Sequence, residues 1–165
     1  MAAWTTTPRT WSVGETVTAA NMNAQLRDFQ SAFGAWATYT PSWTASTTNP
    51  TNVTVVGAYM QVGKTVKFRA SGTAAASFTA GSGAYAVAIP AAATSSANQI
   101  VPGRVLDSST GFYYRGVGYI AASGSTITRS HFVDGAASNA GFSATVPMTW
   151  AVSDVWEFTG SYEAA

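Results

Sequence analysis

From residue 39 onward, apolar and polar side chains trade places at every second position in short runs, which is the period of half-buried strands. Gly, Ser, Asn and Pro separate the runs. In 62–70, Val66, Phe68 and Ala70 alternate with Thr65, Lys67 and Arg69, and 53–60 precedes them across Gln61-Val62-Gly63-Lys64, so the two runs predict a hairpin with a dry and a wet face. Further strands are predicted at 84–89, 99–106, 112–121, 126–133, 148–152 and 155–162. The last places Trp156, Phe158, Gly160 and Tyr162 on one side, with Val155, Glu157, Thr159 and Ser161 on the other, as a core strand would. The Ala/Ser/Thr/Gly stretches 74–83, 91–98 and 135–144 read as loops. About eight strands without intervening helices predict a mainly β fold, an antiparallel β-sandwich of jelly-roll type.

The N-terminal part has a different rhythm. Residues 4–15 hold Trp4, Trp11, Pro8 and Gly14 without periodicity and read as an extended arm. Thr18 is placed to cap one short helix and Gly34 to end it. Ala19, Met22, Leu26, Phe29 and Phe33 recur at alternating spacings of three and four, a narrow apolar stripe opposite Asn23, Gln25, Arg27, Asp28 and Gln30. So short a helix is marginal alone in water, and the stripe needs cover, either from its own β domain or from the same stripe of sister copies. Trp4 and Trp11 pose the same choice between their own domain and a partner subunit. The expected division is an arm and anchoring helix over 1–37 and a β domain over 38–165.

Composition sharpens this reading. Charged residues are 9% of the chain, against roughly 25% in an ordinary soluble domain, which leaves little electrostatic defence against self-association. The 8 basic and 7 acidic residues balance, and the basic ones are scattered, so nucleic acid is not an expected partner. Cysteine is absent, which excludes disulfides and thiolate metal sites. The N-terminus lacks a basic-then-apolar leader, and the longest apolar run, 84–93, is short and broken by Pro90, so neither export nor membrane insertion is expected.

The chemistry-bearing residues point away from catalysis. Gly57 … Gly63-Lys64-Thr65 resembles a phosphate loop, but its glycines are one residue too far apart and a strand follows, so a hairpin turn is the expectation. His131 is the one histidine; Ser130 and Asp134 sit beside it along a strand, where alternate side chains diverge and cannot form a relay. Asp107, Asp154, Glu157, Asp134 and His131 show no metal-ligand spacing, and Asp154 and Glu157 point to opposite faces of one strand, so no metal, cofactor or hydrolytic carboxylate pair is expected. Phe112, Tyr113, Tyr114, Arg115 and Tyr119 crowd one segment, so some of these rings must face outward, into a subunit contact or onto a sugar.

The segment from Thr7-Pro8-Arg9-Thr10-Trp11-Ser12-Val13-Gly14-Glu15 through Asn21-Met22-Asn23 and Leu26-Arg27-Asp28 resembles the N-terminal region of virion proteins of tailed phages, especially those of actinobacteria. Tyr39-Thr40-Pro41-Ser42-Trp43-Thr44, Gly57-Ala58-Tyr59-Met60-Gln61-Val62-Gly63-Lys64 and the ending Trp150 … Asp154 … Gly160-Ser161-Tyr162-Glu163 are similar to their β-rich portions. The resemblance implies a non-enzymatic surface protein of the virion, a minor tail, tail-fibre or capsid-decoration protein. Such proteins are commonly trimeric, with an N-terminal part seated on a neighbouring tail or major capsid protein and a β-sandwich displayed outward. Trp4, Trp11, Met22, Leu26, Phe29 and Phe33 are then the expected oligomer and anchor contacts. Phe112, Tyr113, Tyr114, Arg115 and Tyr119 are the expected subunit or host-glycan contacts. A free-standing carbohydrate-binding module is the other class the aromatic segment allows.

Overall fold

The computed structural model describes residues 12–23, 36–133 and 141–165. The chain divides into two compact units, Met1–Trp36 and Ala37–Ala165. In the first, helix α1 (Ala19–Met22) starts where the sequence places its cap: Thr18 is extended and its Oγ1 accepts the Asn21 N–H at 3.2 Å. Met22 is 41% exposed on this turn. Trp4, Trp11, Leu26, Phe29 and Phe33 lie outside the described residues.

The second unit is built from β1 (Ala37–Tyr39), β2 (Trp43–Ala45), β3 (Thr51–Val62), β4 (Thr65–Thr79), β5 (Tyr85–Ala88), β6 (Gln99–Asp107), β7 (Phe112–Ile120), β8 (Thr126–Val133) and β9 (Val155–Glu163). Among the described residues these strands form one sheet, paired antiparallel throughout, in the order β1-β3-β4-β9-β6-β7-β8-β5-β2. The mainly β, antiparallel class expected from the alternation is therefore the class observed. The sheet is curled. β1 and β2 are its two outer strands, yet Tyr39 and Trp43 are joined by four Cα steps, which span at most about 15 Å. The curl also brings Trp43 onto Phe78 of β4 at 5.7 Å and Trp156 of β9 at 5.8 Å between ring centroids.

The inward positions are those the alternation predicts. Val66, Phe68 and Ala70 of β4 and Trp156, Phe158 and Tyr162 of β9 are buried, while Lys67, Arg69 and Thr159 point out. Gly63 opens the two-residue β3–β4 turn at φ +58, so Gly63-Lys64 is a hairpin turn and not a phosphate cradle. In β8, Ile127 and Phe132 are both inward although they stand five positions apart, an odd step that simple alternation would put on opposite faces. A bulge reconciles this: two residues, Arg129 and Ser130, face the single Gly118 of β7, and Arg129 takes φ +47.

Aromatic rings lie flat over glycines on the neighbouring strand. Tyr39 faces Gly57, Trp156 faces Gly72 and Phe158 faces Gly103 directly across the ladder, and a Cβ on any of these glycines would overlap the ring. The curl thus depends on missing side chains as much as on large ones.

Several expectations need correction. The stretch 74–83 is not a loop throughout, because β4 continues to Thr79 with Ala74 buried; the small side chains fit the crowded interior of the curl. The segment 148–152 is not a strand. The Asp154 carboxylate takes the Ala151 N–H at 2.6 Å and Trp150 Nε1 donates to the Ser143 carbonyl at 3.1 Å, so the backbone turns while Met148 and Trp150 still reach the core. The short outer strands β1 and β2 have too few residues to show a period.

Candidate functional site

The β6–β7 hairpin is set by its turn. Asp107 Oδ1 accepts from the Ser109 N–H at 3.0 Å and the Ser109 hydroxyl at 2.7 Å, and Gly111 takes φ +72 with its N–H on the Asp107 carbonyl. The Ser109 hydroxyl bond, with the Thr110 bonds beside it, holds the Asp107 carboxyl below the usual carboxylate range. This turn fixes the pairs Leu106↔Tyr113, Arg104↔Arg115, Pro102↔Val117 and Ile100↔Tyr119, all on the outer face. Ile100 is 66% exposed, Tyr113 47% and Val117 46%, so a ribbon of apolar and aromatic side chains faces outward.

The aromatic segment expected at a contact surface is split by this register. Tyr113, Arg115 and Tyr119 point outward, whereas Tyr114 turns to the other face and packs against the core. Phe112 lies at the hairpin end with its ring 5.0 Å from that of Tyr114, edge to face.

A row of cross-strand neighbours runs over the same face through five strands: Val56, Ser71, Glu157, Arg104 and Arg115. Arg104 Nε donates to Glu157 Oε2, and this bond, together with the carboxylate charge, raises the Arg104 pKa. The Arg104 guanidinium also lies 5.1 Å from the centroid of the Tyr113 ring. Arg115, directly opposite Arg104, has no ion-pair or hydrogen-bond partner among the described residues. Like charges facing each other across a ladder repel, so this pair costs stability where it stands.

The row crosses a groove of about 790 Å³. Its apolar part includes Val56, Ala58 and Pro102, its hydroxyls come from Thr38, Ser71 and Thr159, and Arg69, Arg104, Arg115 and Glu157 supply charge. Gly103 and Gly116, paired with each other, line it with backbone, and the Phe158 ring lies on the inner side of Gly103. Three of the chain's eight basic residues therefore meet one carboxylate here.

The other chemistry-bearing residues are dispersed. His131 is exposed on β8, while Ser130 points inward and is buried, so the two do not converge; Asp134 lies outside the described residues. Asp154 is buried and its carboxylate accepts the Ser108 N–H at 2.9 Å and the Ala151 N–H at 2.6 Å, which ties the 151–154 turn to the β6–β7 connection. Among the described residues no three His, Asp or Glu side chains converge as metal ligands would.

Arg104, Ile100, Pro102 and Val56 are surface residues that the sequence pattern does not mark as a site, and Glu157 stands out there only as an isolated carboxylate. A signal was present for Arg104: it lies three residues before Asp107, and Arg115 three after Phe112, so a turn over Ser108-Ser109-Thr110-Gly111 sets them opposite. Glu157 and Val56 join the row only through strand order, which the sequence does not carry. The chain matches no protein-family profile, no curated protein and no solved structure.

Proposed function

We propose that this chain is a non-enzymatic structural module of a tailed-phage virion. In this reading it is a trimer, seated on a neighbouring tail or capsid protein by its N-terminal segment, and its β unit is displayed for contact with the host surface. The observation that carries the reading is the outer face of β6–β7, where Ile100, Pro102, Val117 and Tyr113 are exposed side by side on strands already committed to a core on their other face. Such a face suits association, and a chain with 9% charged residues has little to oppose it. The virion assignment rests on the N-terminal resemblance.

The test is the position and number of the chain on purified particles. A few copies at the tail are the expected result. Copies spread over the head at the density of the shell would replace the tail assignment by a decoration role, and absence from the particle would end the virion reading. Met22 together with Leu26, Phe29 and Phe33, the last three outside the described residues, forms the proposed trimer seam. Native mass spectrometry of Leu26→Asp or Phe29→Asp is expected to show monomer, because an unpaired charge in a buried seam is costly. A variant that remains trimeric removes the seam from the account.

A further inference from the structure

We infer that the groove across β3, β4, β9, β6 and β7 binds an anionic sugar, a pyranose bearing a carboxylate or phosphate, with Arg115 and Arg104 holding the oxyanion. This deepens the attachment reading for the same face and depends on it only for the biological setting, since binding belongs to the isolated chain.

The argument begins with charge. Arg104 and Arg115 are direct cross-strand neighbours on an outward face, and a single carboxylate, Glu157, serves Arg104. Glu157 from one side and the Tyr113 ring, 5.1 Å from the guanidinium carbon, from another fix the orientation of Arg104. Arg115 keeps its donor fork open among the described residues, and the repulsion between the pair falls when an oxyanion sits between them. The planar guanidinium matches both carboxylate and phosphate in a way that an ammonium does not.

The rest of the groove states what carries the oxyanion. Its volume of about 790 Å³ is in the range of small-ligand sites. Val56 and Pro102 offer apolar surface to the C–H face of a ring, and the hydroxyls of Thr38, Ser71 and Thr159 offer partners to ring hydroxyls. A purely apolar ligand would leave the Thr38 and Ser71 hydroxyls and Arg115 without a partner from it, whereas the Thr159 hydroxyl already donates to the Phe68 carbonyl, and a bare inorganic anion would leave the apolar surface unused. A sugar with one acidic group uses all three kinds of surface.

The experiment titrates the ¹⁵N-labelled chain with D-glucuronate, α-D-glucose 1-phosphate, D-glucose and inorganic phosphate, following the amide signals of Gly103, Gly116 and Arg115. One or both acidic sugars are expected to bind in the millimolar range, with affinity falling as NaCl rises from about 50 to about 500 mM. The two acidic probes separate a carboxylate from a phosphate source. Arg115→Gln is expected to weaken binding about tenfold or more, and Lys64→Gln in the β3–β4 turn to leave it unchanged. Should Arg115→Gln fold poorly, Arg115→Lys takes its place, since it keeps the charge and loses the fork. The inference is overturned if glucose binds as well as the acidic sugars, if inorganic phosphate binds as well as glucose 1-phosphate, or if no probe shifts these signals at about 50 mM. Unchanged binding by the folded Arg115 variant overturns it too.

Discussion

Replacing Gly72 by alanine tests the central packing feature of the β unit with one methyl group. Gly72 faces Trp156 across the β4–β9 ladder, and a Cβ there would overlap the indole around Cε2 and Nε1. Trp156 is 0% exposed, and its ring has Trp43 and Phe158 each 5.8 Å away between centroids, so it has no free direction in which to withdraw. Overpacking of this kind costs about 1–3 kcal/mol, while the stiffer unfolded chain returns about 0.4–1 kcal/mol. The net expectation is a loss of about 1–2 kcal/mol. In urea, with a slope of about 2 kcal/mol per molar, the midpoint falls by roughly 0.5–1 M, read by tryptophan fluorescence. Gly141→Ala is the control. Among the described residues nothing lies within 4 Å of a Cβ there, so the unfolded-state gain of about 0.4–1 kcal/mol is the expected effect and the midpoint rises. Shifts of the same sign in the two variants would refute the ring-over-glycine geometry. As a second check, Trp156→Leu combined with Gly72→Ala is expected to be less destabilised than the sum of the single changes, by about 0.5 kcal/mol or more.

Other outcomes follow from the same structure. Asp154→Ala removes the buried acceptor of the partly buried Ser108 and Ala151 N–H bonds and is expected to cost about 1–3 kcal/mol in thermal or chemical denaturation; a neutral effect would remove the carboxylate from the anchoring of that turn. Burial pushes the Tyr85 hydroxyl up to about 12, and burial likewise raises Tyr39 and Tyr162. Between the unfolded value near 10 and the folded one, the native state holds protons that the unfolded state has released. The stability from these tyrosines is therefore intact below pH of about 10 and declines as the pH climbs toward 12. Denaturation midpoints that stay flat over that window in the wild type, or decline as steeply in Tyr85→Phe, would contradict the assignment.

The parts of the fold legible in the sequence are those governed by local alternation. Val66, Phe68 and Ala70, and Trp156, Phe158 and Tyr162, announce their face at every second residue, and the Gly63-Lys64 turn is forced by what flanks it. The Thr18 cap is local in the same sense. What escaped depends on partners distant in the chain. β9 lies between β4 and β6, and no residue of β9 names either neighbour. The Arg129–Ser130 bulge shifts the inward phase within β8, so simple alternation misplaces half of that strand. Ala74 reads as loop because a small side chain signals little by itself; only the curled interior gives it a buried place. The aromatic segment was legible as a feature but not as a geometry, since which of Phe112, Tyr113, Tyr114 and Tyr119 faces outward follows from the β6–β7 register.

That register also separates the residues that hold the fold from those that face outward. On β7, Gly116, Gly118 and Ile120 point inward, and a Cβ on Gly118 would meet both Ile127 and Phe158; Tyr113, Arg115 and Val117 alternate with them and point out. On β6, Val101, Gly103 and Val105 face the core and Ile100, Pro102 and Arg104 do not. Changes at inward positions act on stability through packing, by about 1–3 kcal/mol or more, whereas changes at exposed outward positions ordinarily stay within about 0.5 kcal/mol. The outward pairs are consequently a poor investment for the isolated fold: exposed Ile100 and Val117 do not fill its core, and Arg104 facing Arg115 costs it stability. Residues that do so little for the isolated fold are the ones the proposed association and sugar binding would use. Because odd and even positions divide the two roles so cleanly, a variant such as Arg115→Gln interrogates binding while leaving Phe158 and the glycines beneath it in place.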